Sequence, residues 1–283
     1  TGAIVTPIAS YDSDMPLITV AGGDDLRIAD YRNVPDPELI ERRGIFVAEG
    51  RMVVRRLLAE SRLAARSAMA TSTALTSIAD VIAARPELPV YVVTQQTMDA
   101  VTGFHMHRGC LAIGERPARR AWTDVVGNAR MVIVLERVGN ADNIGGIFRN
   151  AMAFGAGAVV LDPSCADPLY RKAIRTSMGA TLLVPHGEAT PWPDALREMR
   201  AAGFALVAMT PSAEADTLRE VASHLGDVRT AIVLGHEGEG LTAHALDACQ
   251  HRARIPISSC DSLNVASASA VALYELTATA RAW

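Results

Sequence analysis

The chain has 283 residues, 49% of them hydrophobic and 20% charged, which is room for roughly two domains and excludes a disordered polypeptide. No apolar run of about 18 residues is present to cross a membrane, and the first residues lack the basic and apolar blocks of a secretory leader. The formal net charge of −4 gives no global basic signal for nucleic acid, so any such signal has to be local.

In chain order, residues 1–24 are weakly periodic and read as an N-terminal extension. Pro35 and Pro37 precede a short helical stretch at 38–43, a strand candidate at 45–48 and a helix from Arg51 to Ser61. A second helix at 74–84 and a strand at 90–94 complete a small alternating α/β domain over 25–117. Residues 118–129, following Arg116 and Pro117, read as a linker. From 130 to 283 the alternation is regular. Strands are expected at 131–135, 158–161, 181–184, 204–209 and 231–234, with a short one around Ala253. Helices are expected after Asn143 and at 167–178, 194–202, 242–250 and 263–282, the last capped by Ser262. Strands alternating with helices imply a mostly parallel sheet covered on both faces.

Three polar turns follow these apolar runs. The first runs from Glu136 through Gly139, Asn143, Gly145 and Gly146 to Arg149; the second is Leu234-Gly235-His236-Glu237-Gly238-Glu239-Gly240-Leu241; the third runs from Ile255 through Ile257 and Ser262 to Asn264. Loops at the carboxyl ends of parallel strands line the ligand crevice of such folds. Glycines and small polar residues there point to a polar, nucleotide-like ligand, and a side chain at Gly235 is expected to block its close approach. The glycine spacing fails the dinucleotide-binding fingerprint, and neither a P-loop nor a Gly-x-Ser-x-Gly elbow occurs. Glu237 and Glu239 sit too close on one loop to flank a sugar as a glycosidase pair. Cys110, Cys165, Cys249 and Cys260 have no metal-ligand spacing and read as free thiols of a cytoplasmic protein, with no metal site expected. Asn143 is expected in the loop or cap before its helix, pointing toward the crevice.

Lys172 is the only lysine, and arginines crowd three stretches: 42–66, 108–120 and 171–175. Arginine suits bidentate phosphate contacts. Arg51, Arg55 and Arg62 recur near helical spacing and are candidates, with Arg108 and Arg175, to meet RNA phosphates; a solvated arginine-rich surface is the competing reading.

The three turns, in this order, resemble the three motifs of the SpoU (TrmH-like) RNA ribose methyltransferases of the SPOUT superfamily, over about residues 130–276. The stretch Arg175-Thr-Ser177-Met-Gly179-Ala180 is similar to that family's segment between its first two motifs. Phe46-Val-Ala-Glu49-Gly50 and His107-Arg108-Gly109 resemble the L30e-like RNA-binding domain that many members carry upstream. The resemblance implies a SPOUT methyltransferase domain at 130–283 with a C-terminal trefoil knot, an L30e-like substrate-binding domain at 25–117, a homodimer, and S-adenosylmethionine as methyl donor to a ribose 2′-hydroxyl. It assigns catalytic roles to Arg149, Asn143, Glu237, Ser262 and Asn264. Leu234, Gly235, Glu237, Gly240, Ile255, Ile257 and Leu263 would hold the donor. Methyl transfer from a sulfonium needs in-line orientation rather than a metal or a covalent intermediate. Arginine is a poor base at its ordinary pKa, so Arg149 is expected to stabilise developing oxyanion charge. Ribosomal RNA is the expected substrate and transfer RNA the alternative. A catalytically inactive RNA-binding assembly or resistance factor is the rival, against which the intact Asn143, Arg149, Glu237, Ser262 and Asn264 stand.

Overall fold

The computed structural model describes residues 17–32, 35–103, 105 and 109–280. The chain divides into two compact units after Pro117, with Leu169–Arg171 grouped with the first.

The first unit holds a mixed five-stranded sheet. Its strands are β1 (Leu17–Thr19), β2 (Ile45–Glu49), β3 (Ala65–Thr71), β4 (Val90–Val93) and β5 (Cys110–Glu115), in the order β1-β4-β3-β5-β2. β3 runs parallel to β4 and antiparallel to β5. The helices between them are α1 (Arg51–Arg55, continued by a π-helical turn Arg56–Glu60), α2 (Ser72–Leu75), α3 (Ala79–Ala83) and α4 (Gln95–Thr102). Two expectations change here. Leu17–Thr19 pairs in parallel with Val90–Val93 as an edge strand, so residues 17–24 are not a bare extension; residues 1–16 lie outside the described ones. The helix after Gly50 ends at Glu60, which leaves Arg62 in the bend beyond it rather than on one helical face with Arg51 and Arg55.

The second unit begins with α5 (Trp122–Val126). It continues through β6 (Met131–Leu135), α6 (Ala141–Phe154), β7 (Ala158–Leu161), α7 (Arg171–Thr176), β8 (His186–Glu188) and α8 (Asp194–Ala201). Then come β9 (Phe204–Met209), β10 (Asp216–Thr217), α9 (Leu218–Leu225), β11 (Arg229–Leu234), α10 (Ala243–Ala248), β12 (His251–Arg254) and α11 (Val265–Ala280). All seven strands are parallel, in the order β10-β12-β9-β11-β6-β7-β8. A parallel sheet is covered on both faces, so its strands are apolar at every position. Alternate residues of β6 accordingly enter two cores: Ile133 and Leu135 join one with α6, α9 and α11, whereas Val132 and Val134 join the other with α5, α8 and α10.

Two further expectations are corrected. The segment read as a linker at 118–129 contains α5, whose Trp122, Val125 and Val126 are buried in the second core. The strand expected at 181–184 is a 3-10 turn, Ala180–Leu182, entered through Gly179 at φ 84°. Ser177 Oγ accepts the Thr181 N–H, and Leu182 and Val184 are buried by that turn rather than by a pleat. The edge strand is His186–Glu188 instead.

Candidate functional site

β12, β9 and β11 are neighbours in the sheet and parallel, so the loops that follow them emerge together at one edge. Residues 209–212 and 235–241, with Ile255, Ile257, Ser262 and Leu263 of the third loop, closed by Leu246, Val265 and Ala268, line a cavity of about 440 Å³, a volume in the range of small-molecule sites. Leu234, Gly235, Glu237, Gly240, Ile255, Ile257, Ser262 and Leu263, named from the sequence, all line it. Thr210, Pro211 and Ser212 were missed. Their signal was present, since they directly follow an apolar run, but Thr-Pro-Ser reads as an ordinary turn. Ile257 (38% exposed) and Leu263 (36%) present large apolar side chains inside this cleft. Such surface suits a flat aromatic or aliphatic ligand portion, and the loop backbones beside it suit polar groups.

The 235–241 loop is closed on itself. Its ends form a bridge between His236 and Gly240, and His236 Nδ1 accepts the N–H groups of Gly238 (3.0 Å) and Glu239 (3.1 Å). A Cβ on Gly235 would lie 2.4 Å from the Gly240 carbonyl carbon and 2.5 Å from the Leu241 nitrogen. This glycine is therefore required by the loop's own backbone, before any ligand approaches, which revises the expected reason for it. Gly145 and Gly146 are likewise packing residues: their Cβ atoms would meet Ala173 O at 2.6 Å and Ala266 Cβ at 2.8 Å.

Asn143 is inside α6, not in the loop or at its cap. The cap is Asn140, whose side chain accepts the Asp142 N–H. Asn143 is buried and uses both ends of its amide. Nδ2 donates to Glu237 Oε1 (2.7 Å), and Oδ1 accepts from Asn264 Nδ2 (2.8 Å). Asn264 in turn caps α11, its Oδ1 accepting the N–H groups of Ala266 (2.9 Å) and Ser267 (3.3 Å). Asn264 thus takes the capping role expected of Ser262, which lines the cavity two residues before. One residue from each of the three motifs meets in this chain, because β6 and β11 end in register at Leu135 and Leu234.

Arg149 lies further along α6, exposed, and is not among the cavity's lining residues; no hydrogen bond or ion pair engages its guanidinium among the described residues. Arg137 was not singled out by the sequence. It takes a left-handed backbone (φ 55°), its N–H donates to the buried Asp162 carboxylate (3.0 Å), and its Nη1 pairs with Glu239 (2.7 Å) at the cavity rim. Burial raises the Asp162 carboxyl above its ordinary pKa. Near the first turn of α6, the Lys172 ammonium (2.7 Å) and the Thr176 hydroxyl (2.9 Å) hold the Asp142 carboxyl below its ordinary value.

Of the expected RNA contacts, Arg51 and Arg62 are exposed in the first unit and Arg175 is exposed on α7. Arg108 lies outside the described residues. Arg55 is committed elsewhere: its guanidinium grips both oxygens of Asp80 (2.5 and 2.7 Å) and the Ser77 carbonyl (3.1 Å). Among the described residues no group of three or more His, Cys, Asp or Glu side chains is placed to hold a metal, and no helix is long and apolar enough to cross a membrane.

The SpoU rRNA methylase family model matches residues 130–274, the span that carries all three motifs. The chain belongs to the SpoU rRNA methylase family. An uncharacterized tRNA/rRNA methyltransferase of Mycobacterium bovis is 41% identical over 274 residues, 95% of this chain and 94% of the relative. The 23S rRNA (guanosine-2′-O-)-methyltransferase RlmB of Bordetella pertussis is 30% identical over 193 residues, 66% of this chain and 76% of the relative. Among solved structures, an rRNA methyltransferase from Sinorhizobium meliloti shares the fold with a TM-score of 0.78 at 24% identity, over 92% of this chain and 97% of that one. The resemblance read from the three turns is borne out, and with it an RNA methyltransferase on a mixed α/β, mostly parallel scaffold.

Proposed function

We propose that this SpoU-family protein methylates a ribose 2′-hydroxyl of structured ribosomal RNA. The observation that carries the reading is the Glu237–Asn143–Asn264 chain, which joins all three motifs beside the cavity. S-adenosylmethionine, when bound, supplies an electrophilic methyl group on a sulfonium. The backbone of residues 234–241 and 255–257 and the apolar faces of Ile257 and Leu263 would hold it. Asn143, itself fixed by Asn264, holds the Glu237 carboxylate in one orientation, so that it can order the acceptor ribose. Arg149, whose guanidinium is exposed on the helix that carries Asn143, would stabilise charge developing on the 2′-oxygen.

The protein acts, in this reading, as a homodimer through α11, where Val271 and Tyr274 are exposed apolar side chains. The trefoil knot belongs to the same proposal. It is supported by the position of β12 between β9 and β10, and by the return of residues 255–263 to the cavity beside residues 235–241. The first unit, with its own sheet and core, would be the L30e-like RNA-binding domain. A cytoplasmic location is supported by four unpaired cysteines.

Mapping of 2′-O-methyl sites in ribosomal and transfer RNA, with and without the protein, tests the proposal. A site in ribosomal RNA that depends on Arg149 is expected. A site in transfer RNA would move the substrate, and donor binding with no new 2′-O-methyl site in either RNA would overturn the acceptor assignment.

A further inference from the structure

Glu136 follows β6 directly, and its side chain is fully buried with no cation paired to it among the described residues. Its carboxylate serves only as an acceptor. Oε1 receives the Trp192 indole N–H (2.7 Å) and the Thr242 hydroxyl (2.7 Å), while Oε2 receives the Thr242 backbone N–H (2.8 Å). Its own backbone N–H donates to the Leu234 carbonyl (2.9 Å). Leu234 is the last residue of β11 and Thr242 is the N-cap of α10, so these contacts fall on the two ends of the 235–241 loop. That loop supplies one wall of the cavity. Leaving a carboxylate fully buried is unfavourable unless its acceptor sites are filled, and here the Trp192 indole and the hydroxyl and backbone N–H of Thr242 fill them, while the backbone N–H of Glu136 holds the Leu234 end.

We infer that Glu136 is a positioning residue that clamps both ends of the donor-binding loop and so sets its shape before S-adenosylmethionine arrives; the inference rests on the cavity being the donor site. Preformed binding loops avoid the cost of ordering on binding, so release of one end is felt as lost affinity more than as lost chemistry.

The test uses the full chain, with calorimetry of S-adenosylmethionine and steady-state methyl transfer. Glu136→Gln keeps the size but turns an amide N–H₂ toward groups that are themselves donors. Its donor Kd and KM are expected to rise about tenfold, while kcat at saturating donor stays within about threefold. Thr242→Val removes one hydroxyl from the clamp and should weaken donor binding about fivefold; Thr242→Ser, which keeps it, should restore affinity to within about twofold. Thr217→Val removes the corresponding cap of α9, at a residue that does not line the cavity, and should lower the melting temperature without changing donor Kd. Folded Glu136→Gln and Thr242→Val proteins with wild-type donor Kd would overturn the clamp. If Glu136→Gln does not fold, the Thr242→Val and Thr242→Ser pair decides. If the wild-type protein binds no donor, the donor reading fails on its own. The clamp is then read from amide hydrogen exchange at 235–241: lost protection in Thr242→Val but not in Thr217→Val upholds it, and equal protection in both overturns it.

Discussion

Asn143 is the residue on which the three motif segments depend, because its amide donates to Glu237 and accepts from Asn264 at the same time. Asn143→Ala leaves a Glu237 carboxylate oxygen and an Asn264 amide N–H without their partner, but both residues are exposed and water reaches them. The expected cost is about 0.5–1.5 kcal/mol of stability, together with a loss of methyl transfer larger than that of donor binding. Thermal melting, calorimetry and a methylation assay read the three effects separately, and unchanged turnover would remove Asn143 from the acceptor side. Arg55 illustrates the opposite case, a residue that sequence spacing nominates for RNA and the fold uses otherwise. Its guanidinium holds the Asp80 carboxyl at about 2, below the unfolded value of 3.8. A depressed acid adds stability that is present above about pH 4 and lost as the pH falls toward 2. Asp80→Asn should therefore melt below the wild type at pH 7 and converge with it near pH 2. Because the pair lies at the surface, where solvent screens it, the gap is expected to be small. Arg55→Ala should follow the same stability pattern and leave the salt dependence of RNA binding unchanged, whereas Arg51→Ala and Arg62→Ala should each lower its slope by about one unit or slightly less.

Helices and loops in this chain approach one another at glycines. α6 meets α7 at Gly145 and α11 at Gly146, where an added methyl group would fall inside contact distance of Ala173 and Ala266. Gly145→Ala meets backbone rather than a flexible side chain, so about 1–3 kcal/mol of destabilisation is expected. Gly235→Ala should instead distort the 235–241 loop and weaken donor binding by more than about tenfold, with a smaller fall in melting temperature. A Gly235→Ala protein with normal donor affinity would contradict the loop packing. These positions show what the sequence makes legible and what it does not. Buried runs such as 131–135, 158–161 and 204–209 announce themselves as strands, because a parallel sheet demands apolar residues on both faces. The run 181–184 has the same composition, yet it is buried by a turn whose geometry depends on Ser177 and Gly179. Likewise the cavity-lining residues were readable from their motifs. The reason for the motif glycines was not, because a glycine that contacts a ligand and one that contacts a neighbouring helix look identical in one dimension. Nor could the caps be assigned between Asn140 and Asn143, or between Ser262 and Asn264, since both members of each pair are good capping residues.

At the scale of the whole molecule, α5 moves the start of the second unit from residue 130 to Ala118. A fragment beginning at 130 would lose Trp122, Val125 and Val126 from the core and expose what they cover. With about 1.5–3 kcal/mol for each fully buried large apolar side chain, fragment 130–283 should be several kcal/mol less stable than fragment 118–283. Denaturant titration of the two decides it, and equal midpoints would return residues 118–129 to the status of a linker. Fragment 118–283 should still bind the donor, since the whole cavity lies within it, and should methylate RNA poorly without residues 25–117. The seven-stranded sheet, finally, ends on strands of two and three residues, Asp216–Thr217 on one side and His186–Glu188 on the other. A short edge offers few unpaired amide and carbonyl groups to an incoming chain. Edge-to-edge polymerisation, the ordinary hazard of an open parallel sheet, is thereby suppressed at both rims of this sheet, and association between copies through the second unit falls to helix faces, where side-chain fit rather than backbone pairing selects the partner.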